Sequence, residues 1–298
     1  MKQIVQIPFH KPISSSIDFS DIFESGILTK GRYVRAFEAK IKKMYNVEHA
    51  IATSSGTQGL LIALSYGKPF SIQLPAFNWH SDLYVLKLLG IKSVFNDIDL
   101  KTWLVREDFK NPSLFVHTFG NVGLSLEENA IYDATHALGC DLPDIGLATV
   151  FSFAATKIIT TCEGGMIITN DKAFAEYAIE QRDKNCRMSE IHAKMGSHTL
   201  GFLDKVMGFK KKVFYYYKDH IPGQFQQKIV DHNYNTIGFL NLEGLKIPNE
   251  IETKQYYEPL VKGLKNTDYV YKNIICLPSW WGVDYKLITD MILEANKL

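Results

Sequence analysis

The chain has 298 residues, of which 46% are hydrophobic and 22% charged, and this ordinary globular composition excludes a disordered, collagen-like or disulfide-scaffold protein. Its 33 Lys and Arg against 32 Asp and Glu give a formal net charge of +1, so no overall field draws the chain to nucleic acid or an anionic membrane. The four cysteines are widely spaced without a CxxC pair, so we predict reduced thiols and no metal site. Because the N-terminal residues do not resemble a signal peptide and no apolar run could span a bilayer, we expect a cytoplasmic protein.

Strand-like and helical patterns alternate along the first 185 residues. Residues 32–45 carry Val34, Phe37 and Ile41 at three- and four-residue spacing, which predicts an amphipathic helix. The following segments are predicted in chain order as strand 49–55, helix 56–67, strand 71–77, helix 82–90, strands 93–98, 113–120, 129–135, 146–154 and 164–170, and helix 171–185. This alternation predicts an α/β fold with a mostly parallel central sheet flanked by helices.

The composition and the predicted secondary structure of the sequence change near residue 205. The run FKKKVFYYYKD is basic and aromatic, and a mixed α+β region follows it and ends in a helix over 283–298. We therefore predict a large domain over residues 1–205 and a smaller C-terminal α+β domain over residues 206–298. Basic and aromatic residues together can bind nucleic acid, but one short run in a near-neutral chain favours a solvated helix face or a subunit contact.

Candidate catalytic residues cluster at the ends of predicted strands. Lys157 follows Ser152 by five residues in an apolar strand-to-loop setting, where desolvation would lower its pKa and free the amine to form an imine with a carbonyl. Asp133 directly follows an apolar strand, at the edge where open α/β sheets build their sites. A carboxylate there can hold the protonated ring nitrogen of pyridoxal phosphate, although an Asx turn or a helix cap explains it equally well. His136 either lies near the same ring or fills a polar loop.

Two further segments suit the phosphate and the ring of such a cofactor. Residues 54–57 link a strand to a helix, so their backbone N–H groups can point at a phosphate, and the hydroxyl of Ser152 can join them. A simple helix N-cap would explain the same turn. Trp79 follows a strand and can stack on a flat ring or pack in the core. A lysine, a strand-end carboxylate, a phosphate turn and a stacking aromatic together predict a site for pyridoxal phosphate.

At least six segments, in the same order, resemble the DegT/DnrJ/EryC1/StrS family of sugar-nucleotide aminotransferases, which are pyridoxal phosphate enzymes of fold type I. The segments are SSGTQGLLIAL, LPAFNWHS, YDATHALG, FSFAATKIITTCEGG, NCRMSEIHA and ICLPSWWGVDY. The resemblance implies an enzyme that transfers an amino group from an amino-acid donor to a keto sugar linked to a nucleotide. The expected donor is glutamate. Such products feed the biosynthesis of surface polysaccharides such as O-antigen.

The resemblance also assigns roles to residues that contact the cofactor. Lys157 would bind its aldehyde and move a proton between the cofactor and the amine-bearing carbon. Asp133 would keep the ring nitrogen protonated, so that the ring can accept electrons. Trp79 would stack on one ring face, and His136 would face the ring hydroxyl where many members have Gln.

The remaining implied contacts concern the phosphate and a second subunit. Gly56, Thr57 and Ser152 would hold the phosphate within one subunit. Asn185 would reach the phosphate in the neighbouring subunit, which implies a homodimer with shared active sites. During turnover the cofactor would alternate between pyridoxal and pyridoxamine phosphate.

The chain departs from the family by being shorter, with compressed segments at 103–120 and 121–133 and a trimmed C-terminal domain. Two alternatives follow. The family includes dehydratases that carry histidine in place of the lysine, so Lys157 argues against that activity. An inactive cofactor-binding scaffold is the other alternative, but it would need no lysine, carboxylate and phosphate turn together.

Overall fold

The computed structural model describes residues 6–13, 16–105, 112–123 and 129–298. The helices in this part of the chain are α1 (Ser20–Ser25), α2 (Arg32–Tyr45), α3 (Gly56–Ser65), α4 (His80–Leu89), α5 (Lys172–Asn185), α6 (Glu190–Thr199), α7 (Leu203–His220), α8 (Lys265–Asn273) and α9 (Tyr285–Asn296). The strands are β1 (His49–Thr53), β2 (Ser71–Pro75), β3 (Lys92–Asn96), β4 (Leu114–Val116), β5 (Ile131–Asp133), β6 (Ala148–Ser152), β7 (Gly165–Thr169), β8 (Gln224–Phe225), β9 (Ile237–Leu240) and β10 (Ile274–Leu277).

The central sheet has the strand order β1-β7-β6-β5-β4. A parallel bridge between Gln73 and Ser113 joins β2, and with it β3, to the β4 side of this sheet. Strand β7 pairs antiparallel with both of its neighbours, whereas the pairs β4–β5, β5–β6 and β2–β3 are parallel. The prediction of a mostly parallel sheet is therefore confirmed.

Helices cover both faces of the central sheet, because alternate strand residues point to opposite sides. Met166 and Ile168 of β7 face a buried cluster that includes Phe37 of α2. Ile167, between them, belongs to a second cluster with Leu60 of α3 and residues of α4 and α5. The carboxyl ends of the parallel strands are left uncovered by these helices and carry the loops that form the site.

The C-terminal part of the chain forms an antiparallel sheet in the order β10-β9-β8. A buried cluster joins this sheet to α7 and α9 through residues such as Tyr217, Phe239 and Ile288. The N-terminal segment lies against it, since Ile7 bridges to Ile251 and the carbonyl of Pro8 accepts a hydrogen bond from the Trp280 indole at 2.9 Å. The segment that begins at residue 6 thus reaches the site, where Phe9 and His10 line the cavity.

Two sequence-based expectations need correction here. The strand predicted over 113–120 ends at Val116, because the chain then enters a short 3-10 turn in which Phe119 has a φ of +62°. The basic run after residue 208 lies in α7 and exposes Lys211 and Lys212, but it buries Lys210. The predicted domain boundary at 205/206 falls inside α7, and the division into two domains stays a prediction.

Parts of the compressed segments, residues 106–111 and 124–128, lie outside the described residues. Among the described residues, no helix combines the length and apolar character needed to cross a membrane.

Candidate active site

A cavity of about 280 Å³ lies at the carboxyl ends of β4, β5 and β6. Its walls come from the start of α3, the turn before α4, the loops after β5 and β6, α7, and segments near residues 9, 235, 256 and 279. Seven of the eight predicted site residues line it, namely Gly56, Thr57, Trp79, Asp133, His136, Ser152 and Lys157. Asn185 is not among the lining residues.

The turn before α3 brings a helix N-terminus to the cavity. The side chain of Ser55 accepts a hydrogen bond from the Gln58 amide at 3.1 Å, so this serine is the helix cap. A Cβ added to Gly56 would lie 2.8 Å from the Cβ of Ser152, which means that only glycine allows this approach. Backbone N–H groups and the Ser152 hydroxyl therefore meet on one side of the cavity, an arrangement suited to an anion. The same turn therefore caps α3 and can also bind an anion.

Lys157 is held by a tight loop between β6 and β7. The loop closes through hydrogen bonds from the Phe153 amide to the Gly164 carbonyl at 2.8 Å and from the Thr161 amide to the Phe153 carbonyl at 2.9 Å. Burial lowers the pKa of Lys157 to about 8, although the nearby acidic groups of Asp133 and Asp82 act in the opposite direction. A larger fraction of this amine is therefore neutral near pH 7.5 than of an exposed lysine.

Asp133 ends β5 with only 4% of its surface exposed. One of its oxygens accepts the Thr135 amide at 2.8 Å, so the Asx turn is present, and its side chain also reaches the cavity. Asp82, in the first turn of α4, is fully buried and hydrogen-bonds to the carboxyl of Asp133. Burial and the nearby charge of Asp133 raise the pKa of Asp82 well above its usual value. Asp82 therefore favours its protonated form beside Asp133.

Trp79, His136 and Tyr257 add three aromatic rings to the lining of the cavity. The hydroxyl of Tyr257 lies 3.1 Å from Nδ1 of His136. Burial and the charges of Lys157 and Lys210 lower the pKa of His136 well below its usual value, so the imidazole is neutral. Trp79 is 45% exposed and makes an edge contact with Tyr257 at 6.0 Å between ring centroids. Its indole is therefore not part of the buried core.

Asn185 lies apart from the other predicted residues. It is the exposed last residue of α5, and its side-chain oxygen lies 2.9 Å from Sγ of Cys186. A contact with a cofactor in this chain's own cavity does not follow from this position, and a contact with a second subunit stays a prediction.

Sequence reasoning missed three residues that the structure brings to the site. Asp82 and Tyr257 carry no local signal, because each reaches its partner only through packing of distant segments. Lys210 did carry a signal, since it occupies the apolar stripe of α7. The buried members of that stripe are Leu203, Val206, Lys210, Val213, Phe214 and Tyr217.

The cavity walls also carry unused hydrogen-bonding capacity. Five buried side-chain polar atoms in the described part of the chain have no partner, and four of them belong to lining residues. These four atoms are Nε2 of His10, Nε2 of His117, Oγ1 of Thr118 and Oδ1 of Asn235. Such atoms cost free energy unless a ligand or water meets them. The described residues contain no cluster of side chains suited to a metal ion.

These features fit pyridoxal phosphate. The start of α3 with Ser152 can hold its phosphate, Lys157 can bind its aldehyde and Asp133 can face its ring nitrogen. The fold and the site thus define a fold type I enzyme that depends on this cofactor.

The sequence model of the DegT/DnrJ/EryC1/StrS aminotransferase family matches residues 15–109 and 125–236, and the chain belongs to this family. Its cofactor is pyridoxal phosphate, which becomes pyridoxamine phosphate when it carries the amino group. The chain is 27% identical over 258 residues to the GDP-perosamine synthase of Escherichia coli O157:H7, an alignment that covers 72% of this chain and 71% of the relative.

Solved structures share the fold. The Helicobacter pylori aminotransferase PseC, involved in the biosynthesis of pseudoaminic acid, aligns with a TM-score of 0.87 at 20% identity over 98% of this chain and 99% of that chain. The E. coli GDP-4-keto-6-deoxy-D-mannose-3-dehydratase, with bound hydrated pyridoxal phosphate, aligns with a TM-score of 0.78 at 18% identity over 95% of this chain and 99% of that chain. The fold is therefore common to enzymes with different reactions, and the residues of the site must decide between them.

Proposed function

We propose that the protein transfers the amino group of glutamate to a keto group of a nucleotide-linked deoxysugar, in the biosynthesis of a surface polysaccharide. The observation that carries this proposal is Lys157, whose amine has a lowered pKa and lines the same cavity as Asp133 and the start of α3. The likeness to GDP-perosamine synthase supports a nucleotide sugar as the amino acceptor.

Lys157 serves as the acid and base of the proposed reaction. Its neutral amine can take a proton from the carbon that bears the transferred nitrogen, and the resulting ammonium can return it. A pKa of about 8 suits both steps, since the amine then exists in both forms near neutral pH. The loop hydrogen bonds around Phe153 hold the backbone of this segment in place.

The other residues bind and orient the cofactor. Bound pyridoxal phosphate supplies a protonated ring that withdraws electrons from the reacting carbon. Asp133 would accept the ring N–H, and the protonated carboxyl of Asp82 would support Asp133 by a hydrogen bond. The backbone at Gly56 and Thr57, with the Ser152 hydroxyl, would bind the phosphate. The neutral His136, oriented by Tyr257, would hydrogen-bond to the ring hydroxyl, and Trp79 would stack on the ring.

We also propose a homodimer in which Asn185 reaches the phosphate in the partner subunit. The exposed position of Asn185 at the end of α5, outside its own cavity, supports this arrangement. A nucleotide sugar as substrate implies a reaction in the cytoplasm, where such activated sugars are made.

An absorption spectrum of the purified protein tests the proposed function. Adding pyridoxal phosphate should produce a new band, and adding glutamate should convert it to the spectrum of pyridoxamine phosphate. Lys157→Ala should abolish the band and lower the rate of amino transfer by at least about 10³-fold, since a positioned acid-base group and the covalent attachment are lost together. Lys205→Ala, which changes an exposed lysine of α7, is the matched control.

The acceptor is then identified with GDP-, UDP- and dTDP-linked 4-keto-6-deoxy sugars and mass spectrometry of the products. A product that has gained nitrogen supports the proposal. A product that has lost a hydroxyl group without gaining nitrogen would establish a dehydratase instead. Cofactor binding without any response to amino acids or keto sugars would establish the inactive scaffold.

A further inference from the structure

A second lysine, Lys210, lines the same cavity as Lys157. It lies in the middle of α7 on the apolar stripe of that helix, and only 7% of its surface is exposed. Lysine is rarely buried to this extent without an ionic partner. Its buried position therefore indicates that it binds a ligand in the cavity.

The neighbours of Lys210 leave its charge uncompensated. Its Nζ donates hydrogen bonds to the Asn235 carbonyl and to the Ser279 hydroxyl, both at 3.0 Å. Both acceptors are neutral, and Lys210 forms no ion pair with a carboxylate of the described residues. An ammonium group has three N–H donors, so one remains for a ligand. Burial lowers the pKa of Lys210 to about 7, and an anion bound beside it would restore its charged form.

Two of the unpartnered polar atoms lie on the same wall. Asn235, which receives one hydrogen bond from Lys210, has a free side-chain oxygen, and His10 has a free Nε2. Burial and the charge of Lys210 lower the pKa of His10, while the backbone of Ala155 accepts a hydrogen bond from its ring. The wall thus offers one cationic donor and two neutral acceptors, which is the pattern expected for a small polar anion that also carries N–H or O–H groups.

We propose that Lys210 binds a carboxylate group of the amino-acid donor. This inference rests on the proposed function, since it assigns the donor subsite of the same cavity. Lys157 and Lys210 line both the main cavity and a small adjoining cavity of about 20 Å³ that His10 also lines. A donor carboxylate lies one bond from the reacting carbon, so its partner must be buried close to Lys157. The diphosphate of a nucleotide sugar lies beyond the sugar ring, and a cation for it would belong nearer the mouth of the cavity.

The test measures binding of glutarate, an unreactive dicarboxylate, to the cofactor-loaded protein by calorimetry, and the glutamate dependence of cofactor conversion in single turnovers. Lys210→Met should raise the dissociation constant for glutarate and the half-saturating glutamate concentration by about 10- to 100-fold, the usual effect of losing a charge-assisted hydrogen bond. Lys210→Arg should recover part of the affinity. Lys211→Met, on the exposed face of the same helix, should change neither value.

Binding of nucleoside diphosphates tests the alternative that Lys210 binds the diphosphate of the nucleotide sugar. Their dissociation constants should be the same in the wild type and in Lys210→Met. An unchanged affinity for glutarate in Lys210→Met, or a selective loss of nucleoside diphosphate binding, would overturn the assignment. If the wild type binds glutarate through Lys210 but does not convert the cofactor with glutamate, the proposed function fails and the carboxylate subsite stands. Circular dichroism of each variant shows that the compared proteins are folded.

Discussion

The carboxyl group of Asp82 hydrogen-bonds to that of Asp133, and the two groups lie on different elements, the first turn of α4 and the end of β5. Asp82 also accepts the side-chain amide of Asn78 at 2.7 Å. Two buried carboxyl groups in contact cannot both be ionised without a large cost, so Asp82 keeps its proton. The consequence is that the protonated carboxyl of Asp82 can donate a hydrogen bond to Asp133.

This pair predicts an unusual pH dependence of stability in the cofactor-free protein. The native state keeps a proton on Asp82 at pH values where the unfolded chain has lost it, so the native state binds more protons and the free energy of unfolding falls as the pH rises above about 4. Asp82→Asn removes this effect. In urea unfolding between pH 5 and 8, the free energy of unfolding of Asp82→Asn should increase relative to that of the wild type as the pH rises.

Asp204→Asn, which changes an exposed aspartate of α7, is the control and should follow the wild type at every pH. Asp82→Leu should be less stable than Asp82→Asn, because the amide of Asn78 and the carboxylate of Asp133 both lose a partner. Parallel pH curves for Asp82→Asn and the wild type would show that the two carboxyl groups do not share a proton.

The close approach of Gly56 to Ser152 predicts a specific loss of cofactor affinity in Gly56→Ala. The added methyl group would lie 2.8 Å from the Cβ of Ser152, so the hydroxyl and the start of α3 must move apart. We expect the dissociation constant for pyridoxal phosphate to rise about 10-fold or more, as measured by absorbance titration. Gly208→Ala is the matched control, since no atom lies within 4 Å of the added Cβ. Equal losses in both variants would contradict a phosphate site at this turn.

Asn185 allows a test of shared active sites by subunit mixing. Lys157→Ala and Asn185→Ala homodimers should each be nearly inactive. If Asn185 acts in the partner's site, a mixed dimer contains one intact site and one site with both substitutions. Random mixing should then restore about one quarter of the wild-type activity, because about half of the dimers are mixed and each has one working site. Mixtures no more active than their components would place both residues in the same subunit's site.

The buried Lys210 should lower the free energy of unfolding of the cofactor-free protein. Its pKa of about 7 lies below the value of about 10.5 for an unfolded lysine, so the unfolded state binds more protons and stability rises with pH between about 7 and 10.5. Lys210→Met removes this cost of about 4 kcal/mol and forfeits two hydrogen bonds of about 1 kcal/mol each. The variant should be about 2 kcal/mol more stable at pH 7 by chemical denaturation.

The same experiment at pH 10 should show little or no advantage for Lys210→Met. At that pH, close to the unfolded pKa of about 10.5, the cost of keeping the buried lysine neutral has fallen to about 1 kcal/mol. A gain in stability together with weaker glutarate binding would identify Lys210 as a residue kept for function at the expense of stability. A variant that is destabilised at pH 7 would show instead that the hydrogen bonds to Asn235 and Ser279 dominate.

The sequence by itself determined the order of strands and helices in the first part of the chain, because hydrophobic periodicity and turn residues act over a few positions. It also determined which strand ends carry Asp133 and Lys157, since Asp133 directly follows an apolar run and Lys157 lies in the loop five residues after Ser152. Their meeting in one cavity follows from the parallel strand order, which brings the carboxyl ends of β5 and β6 together.

Only the tertiary structure decided the surroundings of these residues. Tyr257 reaches His136 across 121 residues of chain, and Lys210 reaches the Ser279 hydroxyl across 69. A local pattern shows which face of an element is apolar but not which distant side chain lies against it. The pKa values of Lys157, Asp82 and Lys210 depend on that packing, because burial and neighbouring charges set the cost of ionisation.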